Sequence, residues 1–301
     1  MLEDIIEFYR SNNFEDIIVT SNIKLLIDKI IIEKSKNLNI VEDARAATFF
    51  ALGRINITRE PVMLIMSSDE LANSLTGITE ANYQYLPLII ISIGDKEDYI
   101  NEECFKYVTK KVISDNKNGE SIIQELGNYF DEKWFKPLLI QIKEKKEVYK
   151  DMSNNKEYYD IVDCVVNSAN SNAQIFIEEA VDEDIVNIAK SKDISLKLRK
   201  SLYGVVSSFL GHAAVNDNKQ YLITTYDKIS RDINAFNMRG IKNNVVVIYI
   251  KRNDINHKFT SWFECNGFDF TVVKSILEIE KKLSSPNKKP IIIEYLVNER
   301  R

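Results

Sequence analysis

Few residues in this chain have the types and spacing that catalysis or metal binding requires. The histidines are His212 and His257, which lie far apart and have no neighbours at metal-ligand spacing. The three cysteines show no CxxC spacing, which fits a reducing compartment better than a disulfide framework. The sequence contains no Walker loop, GxSxG elbow or zinc-ligand pattern. We therefore expect core or surface roles for these histidines and cysteines.

The composition indicates a folded protein large enough for two cores. The chain has 301 residues, of which 45% are hydrophobic. Its 45 acidic and 40 basic residues give a net charge of −5, which argues against nucleic-acid binding. The start, "MLEDIIEFYR", lacks a signal-peptide pattern, and the run "LPLIIISIG" is shorter than the ~20 residues that a membrane-spanning helix needs. We expect a cytoplasmic protein with neither nucleic-acid nor membrane partners.

Helical and strand patterns alternate along the first half of the chain. Predicted helices lie near residues 3–12, 22–36, 43–57, 69–83 and 121–130. Predicted strands are "DIIVT", "LNIV", "PVMLIMS", "PLIIISI" and "PLLIQIK". Continuously apolar strands such as "LIIISI" are typical of a sheet that is covered by helices on both faces. This pattern predicts a doubly wound parallel sheet over residues 1–145.

A second α/β region follows a charged stretch, which we interpret as a linker over residues 146–158. Predicted helices are "IVDCVVNSAN", "SLYGVVSSFLGHAAVN" and segments near residues 228–238 and 271–283. Predicted strands are "AQIFIEEA", "QYLITTY", "VVVIYI" and "PIIIEYL". The fold class is therefore α/β with two doubly wound parallel-sheet domains, the second over residues 159–301.

Stretches in both halves have the pattern of one known family. In the first half they are "ARAATFFALGR" and "PVMLIMSSDELANSLTGITEA"; in the second, "YGVVSSFLGHAAV" and "YLITTYDKISRDINAFNMRGIKNNVVVIYIKRND". They resemble the pyrimidine-binding and diphosphate-binding domains of thiamine diphosphate-dependent enzymes of the acetolactate synthase and 2-oxoacid decarboxylase type. The resemblance implies two thiamine diphosphate-binding folds, with the charged linker in place of the family's middle domain.

In the pyrimidine half, the resemblance places Ala44 where the family carries a Glu that hydrogen-bonds the aminopyrimidine ring and promotes ylid formation. A methyl group cannot make that bond. Glu42 or Asp43 would substitute if the chain shifted by one or two residues; their alternative role is to start the helix, with Asp43 as its cap. Acidic Asp69 and Glu70, in place of a Gly-rich turn, are expected to repel a diphosphate. Other positions that the resemblance aligns with cofactor-binding residues are Ser21, Asn22, Ser68, Asn73, Thr225 and Tyr226.

In the diphosphate half, the family binds Mg²⁺ through Gly-Asp-Gly and a later Asn. The resemblance aligns Thr225, Tyr226 and Asp227 with that motif, so Tyr226 replaces the metal-binding Asp and both glycines are lost. Asp227, one residue late, and the later Asn253 would form a displaced pair of oxygen ligands if the metal is bound. Their alternative roles are a helix cap for Asp227 and a turn for Asn253.

Our leading hypothesis is a non-catalytic, regulatory or repurposed homologue with weak or no binding of thiamine diphosphate and magnesium. One alternative is an active 2-oxoacid decarboxylase or carboligase with shifted magnesium ligands. Another is an enzyme completed by a partner subunit that carries the intact residues. In each case the resemblance implies a homodimer or a larger oligomer.

Overall fold

The computed structural model describes residues 1–20, 38–94, 104–114, 119–131, 136–143, 156–198, 204–237, 240–252, 259–286 and 288–297. The chain forms two compact units, Met1–Tyr149 and Lys150–Arg301. Residues 144–155, which include most of the predicted linker, lie outside the described part. A helix begins at Lys156, inside the segment predicted as linker.

The first unit alternates helices and strands as its apolar periodicity predicts. Its described helices are α1 (Leu2–Ser11), α2 (Ala44–Thr58), α3 (Leu71–Tyr83) and α4 (Gly119–Phe130). Its strands are β1 (Ile17–Thr20), β2 (Leu38–Val41), β3 (Val62–Ser67), β4 (Leu88–Gly94), β5 (Lys111–Ser114) and β6 (Leu138–Lys143). The helix predicted near residues 22–36 lies outside the described residues.

The six strands of the first unit form one parallel sheet in the order β2-β1-β3-β4-β6-β5. Helices α1 and α4 pack on one face of the sheet and form one apolar cluster with it. Helices α2 and α3 pack on the other face and form a second apolar cluster. Strand order reverses between β1 and β3. In open parallel sheets, ligands bind outside the carboxyl ends of the strands at such a reversal.

The second unit has the same plan. Its described helices are α5 (Lys156–Ser168), α6 (Glu183–Ser191), α7 (Val205–Ala214), α8 (Tyr226–Arg231), α9 (Thr260–Cys265) and α10 (Ile276–Leu283). Its strands are β7 (Gln174–Ile177), β8 (Ser195–Leu198), β9 (Gln220–Thr225), β10 (Val245–Arg252), β11 (Asp269–Val273) and β12 (Ile291–Val297).

These strands also form a parallel sheet, in the order β8-β7-β9-β10-β12-β11. Each unit therefore places its strands in the spatial order second, first, third, fourth, sixth and fifth. Helices α5, α6 and α10 cover one face, and α7, α8 and α9 cover the other. The predicted fold class, two doubly wound parallel sheets, is confirmed. The reversal of strand order in this unit falls between β7 and β9.

The structure differs from the sequence-based elements mainly at the sheet edges. Strands β5, β8 and β11 were not predicted, and each lies at an edge of its sheet. The helix predicted over residues 271–283 is wrong in its first part, because Thr271–Val273 pairs with β12 and α10 begins only at Ile276. Helices α6 and α9 were also missed. Short, half-exposed elements leave a weak apolar period in the sequence.

Within the described residues, no helix is both long enough and apolar enough to cross a lipid bilayer. The three cysteines are free thiols, of which Cys104 and Cys265 are exposed and Cys164 is buried. Burial raises the pKa of the Cys164 thiol to about 11.

Candidate functional site

In the first unit, a buried carboxylate occupies the point where strand order reverses. Thr20, the last residue of β1, donates its hydroxyl to the Glu70 carboxylate, and the backbone N–H of Ser67 donates to the same carboxylate oxygen at 3.4 Å. Thr20 and Glu70 are 0% and 1% exposed. The hydrogen bonds join β1 to the turn after β3, so the polar ends of the two central strands are tied together inside the fold.

The turn after β3 is a short 3₁₀ helix, Ser68–Glu70, closed by a capping box between Ser67 and Glu70. The carboxylate of Glu70, which was expected to repel an approaching diphosphate, folds back beneath the turn and is buried. Ser68 is fully buried against Gly94 at the end of β4. A Cβ on Gly94 would lie 1.8 Å from Ser68 Oγ. The turn therefore rests directly on the backbone of β4.

Two predicted site residues of this unit contact each other at the start of α2. Asp43 caps α2 by accepting a hydrogen bond from the Ala46 N–H at 2.8 Å, and its other oxygen accepts one from Asn73 Nδ2 at 2.7 Å. Both Asp43 oxygens thus hold α2 and α3 in place, which is the structural role expected for a helix-start acid. Glu42 is partly exposed and precedes the cap.

Ala44, aligned with the ring-activating Glu, is the first residue of α2 and is 0% exposed. Its methyl group belongs to the apolar cluster between the sheet and helices α2 and α3. A glutamate side chain there would replace a methyl group in a close-packed core. Ser21 and Asn22 lie outside the described residues.

The second unit also has a threonine–glutamate pair where its strand order reverses. Thr224, fully buried in β9, donates its hydroxyl to Glu178, which follows β7. The N–H groups of Glu178 and Glu179 donate to the hydroxyl oxygen of Tyr158 in α5, at 2.9 and 3.3 Å. Burial raises the pKa of the Tyr158 hydroxyl. Compared with the first unit, the two side chains have exchanged strands: here the glutamate follows the first strand and the threonine lies on the third.

The segment aligned with Gly-Asp-Gly forms the end of β9 and the start of α8. Thr225 is the N-cap residue of α8 and Tyr226 its first residue. Asp227 is exposed in the first turn, so the prediction that it caps this helix is wrong; α8 begins two residues earlier than expected. Asn253, the second predicted metal ligand, lies outside the described residues.

Tyr226 is buried, with its ring stacked on Phe259 at a centroid distance of 5.5 Å. The ammonium nitrogen of Lys251 lies 5.4 Å from the centre of the same ring. A cation at this distance from the face of a tyrosine is attracted by the ring. The position aligned with the metal-binding Asp therefore contacts a positive charge of the protein itself.

Lys251 also forms a buried ion pair that the sequence reading did not identify. Its Nζ lies 3.6 Å from Glu294 Oε1, and the two side chains are 4% and 6% exposed. The Tyr249 hydroxyl donates to the other Glu294 oxygen at 2.6 Å. Burial first, and the bond to Glu294 second, raise the pKa of Tyr249, so it stays protonated and donates. The sequence feature that could have indicated this ion pair is the single Glu inside the apolar run "IIIEYL".

These residues do not fit a magnesium diphosphate. Magnesium needs several oxygen ligands, usually carboxylates and phosphates. At Tyr226 the described residues supply an aromatic face and an ammonium group, and the nearby Glu294 carboxylate is engaged by Lys251 and Tyr249. No cluster of three or more His, Cys, Asp or Glu side chains suited to a metal ion occurs in the described part of the chain.

His212, the one histidine in the described part of the chain, lies away from the threonine–glutamate pair of its unit. His212 Nε2 lies 2.6 Å from Gln174 Oε1 and 3.4 Å from Lys197 Nζ, and its ring packs against Phe176. Gln174 begins β7, at the amino end of the strand and therefore at the opposite edge from Thr224 and Tyr226. His257 lies outside the described residues.

The fold and the two strand-order reversals define a two-unit α/β protein consistent with the thiamine diphosphate-binding fold. No protein-family model matches the chain. It is 40% identical over 72 residues to the 2-succinyl-5-enolpyruvyl-6-hydroxy-3-cyclohexene-1-carboxylate synthase of Bdellovibrio bacteriovorus, covering 23% of this chain and 14% of the relative. It is 32% identical over 102 residues to the synthase of the same name from Cytophaga hutchinsonii, covering 33% of this chain and 18% of the relative.

The matched segments thus span less than a fifth of each synthase. These partial matches support a relationship with the thiamine diphosphate-dependent enzymes, the family that the sequence resembles.

Proposed function

We propose that this protein is a thiamine diphosphate-enzyme homologue that has lost the cofactor chemistry and acts as a non-catalytic or regulatory subunit. The observation that carries this proposal is the joint loss of two required carboxylates. A core methyl group, Ala44, and an aromatic ring beside an ammonium group, Tyr226 with Lys251, occupy their aligned positions. Two losses in separate units are harder to compensate than one.

The first loss removes the proton chemistry. In the family, a carboxyl group beside the aminopyrimidine ring promotes ylid formation, and Ala44 cannot donate or accept a proton. Asp43 would have to release both the Ala46 N–H and the Asn73 amide to take over this role. Losing a helix cap costs about 0.5–2 kcal/mol, so the substitution would weaken the start of α2.

The alternative is an active decarboxylase or carboligase, alone or completed by a partner subunit. The observation that favours it is the exposure of Asp227 in the first turn of α8, where an acid is accessible to a ligand at the carboxyl edge of the sheet. With Asn253 it would supply the shifted magnesium ligands. Its proton chemistry would then come from Glu42, from water or from the partner.

Calorimetric titration with thiamine diphosphate and Mg²⁺ distinguishes the two functions. We expect no saturable heat at ligand concentrations up to about 1 mM. A ligand at 100 times its dissociation constant stabilises a protein by about 2.7 kcal/mol. At about 1 mM ligand, a parallel melting experiment therefore detects binding with a dissociation constant of about 10 μM. We expect no such stabilisation.

Asp227→Ala tests the alternative, with Asp217→Ala as the matched control. Asp217 is an exposed acid that pairs with Lys242 on the surface of the same unit. Micromolar binding that is abolished by Asp227→Ala and unaffected by Asp217→Ala would contradict the proposal. Assays of 2-oxoacid decarboxylation would then follow.

We further propose that the protein forms a homodimer or larger oligomer through α2. The buried side of this helix packs on the sheet, yet its other side carries a second apolar stripe, the α2 outer face: Ala46, Phe49, Phe50, Gly53 and Ile57. Ile57 is 85% exposed and Phe50 is 44% exposed. Helices that are apolar on both sides are usually covered by other chain segments.

Light scattering at micromolar concentration tests this interface. We expect the wild-type mass to be at least that of a dimer, and the Phe50→Ser/Ile57→Ser variant to shift toward the monomer because it removes apolar contact area. Tyr107→Ser is the control, since Tyr107 is 85% exposed and lies outside this face. A monomeric wild-type protein, or equal masses for all three chains, would contradict the interface.

A further inference from the structure

We propose that the buried group of Lys251, Glu294 and Tyr249 excludes a divalent cation from Tyr226, the position that the resemblance aligns with the metal-binding Asp of the Gly-Asp-Gly motif. This inference deepens the proposed function and rests on its alignment of Tyr226 with the metal-binding Asp. Lys251 places its ammonium group beside this position, and Glu294 balances the charge of that ammonium group.

Position is the first step. Lys251 lies near the carboxyl end of β10, which pairs with β9 so that Ile250 is opposite Thr225. Lys251 follows Ile250 in β10, and Tyr226 follows Thr225 as the first residue of α8; the ammonium nitrogen of Lys251 lies over the Tyr226 ring, 5.4 Å from its centre. The cation is therefore at the carboxyl edge of the central strands, where ligands bind in sheets of this type.

Charge balance is the second step. Glu294 lies opposite Tyr249 on β12, and both side chains project to the same face as Lys251. The ion pair with Lys251 neutralises the carboxylate, and the hydrogen bond from Tyr249 satisfies its second oxygen. A buried charge is tolerated only when it is paired and hydrogen-bonded. The three side chains form a neutral, enclosed group.

Exclusion of metal is the third step. A divalent cation at Tyr226 would face the Lys251 ammonium across a poorly solvated interior, where like charges repel more strongly than in water. The carboxylate that would compensate this repulsion is already neutralised. Restoring an aspartate at position 226 should therefore be insufficient for metal binding while Lys251 remains.

Mn²⁺ binding, measured by electron paramagnetic resonance without thiamine diphosphate, tests whether Lys251 prevents metal binding at position 226. We expect no bound Mn²⁺ in the wild type or in Tyr226→Asp, and stoichiometric binding in Tyr226→Asp/Lys251→Ala. The matched control is Tyr226→Asp/Lys242→Ala, which removes an exposed lysine from the same unit. Binding by Tyr226→Asp alone, or none by the folded double variant, would overturn the inference.

Single substitutions at Lys251 test the same idea in case the double variant does not fold. Lys251→Met keeps the length and loses the charge, and it should lower the melting temperature by on the order of 10 °C because Glu294 stays buried without its cation. Lys251→Arg keeps the charge and should lose less than half as much. If the lysine only fills space, Lys251→Met should have a higher melting temperature than Lys251→Arg. That result would overturn the inference.

The two proposals fail in different experiments. Thiamine diphosphate binding in the presence of chelator would contradict the proposed function and leave the exclusion of metal standing. Mn²⁺ binding by the wild type, without thiamine diphosphate binding, would overturn the exclusion of metal and leave the proposed non-catalytic function standing.

Discussion

Gly94→Ala lowers the free energy of unfolding by about 2–3 kcal/mol, because a side chain at this position overpacks the turn after β3. The new Cβ would lie 1.8 Å from Ser68 Oγ and 2.8 Å from Ser68 Cβ, closer than nonbonded atoms approach. Rotating the serine hydroxyl relieves the first contact only. Either the turn must rise from the strand or β4 must move. Denaturant unfolding of the variant and wild type measures the loss.

Substitutions of Ser68 give this prediction a graded control. Ser68→Ala in the Gly94→Ala background removes the contact with Oγ and should restore part of the stability, whereas Ser68→Gly removes both contacts and should restore most of it. Gly211→Ala in α7 is the reference, because a Cβ there meets nothing within 4 Å and alanine favours the helix by up to about 1 kcal/mol. Wild-type stability for Gly94→Ala would show that the turn does not rest on β4.

Glu70→Ala should cost about 2–4 kcal/mol, because one substitution leaves two donors unpaired inside the protein. The Thr20 hydroxyl and the Ser67 N–H both donate to this carboxylate, and hydrogen bonds to charged groups contribute about 1.5–3 kcal/mol each. The capping box at the 3₁₀ turn is lost as well. Urea or guanidinium unfolding gives the magnitude.

A double-mutant cycle with Thr20→Val separates the pair from the turn. We expect the two substitutions together to cost about 1–2 kcal/mol less than the sum of the single effects, because each removes the same hydrogen bond. Glu80→Ala is the control, since Glu80 bonds only an exposed neighbour, Gln84, among the contacts described for it. Additive effects would mean that Thr20 and Glu70 do not stabilise each other.

The central strands could be predicted because they are buried on both faces. Strands β3, β4 and β10 are almost continuously apolar, and their predicted bounds agree with the structure to within two residues. The edge strand β8, "SLKL", has exposed ends and a lysine, and β11 is mostly half-exposed. An edge strand has one neighbouring strand and more solvent, so its sequence carries less apolar signal.

Local interactions of the site could also be predicted, but its long-range ones could not. The role of Asp43 as the α2 cap follows from its position three residues before Ala46, a separation that any helix start provides. Its bond to Asn73 depends on how α2 and α3 pack. Glu70 was expected to repel a diphosphate from the turn "SSDE", and the sequence did not indicate that the capping box directs its carboxylate into the core.

The sequence by itself determined the α/β class and the two sheet units, and its resemblance to the family led to the prediction that Ala44 and Tyr226 replace the two family carboxylates. Only the tertiary structure showed what occupies those positions: a core cluster around Ala44 and the buried group of Lys251, Glu294 and Tyr249. The physical reason is the sheet order. β10 and β12 become neighbours only after the chain has crossed to the sheet edge and returned, so a lysine and a glutamate in separate apolar strands meet through strand pairing alone.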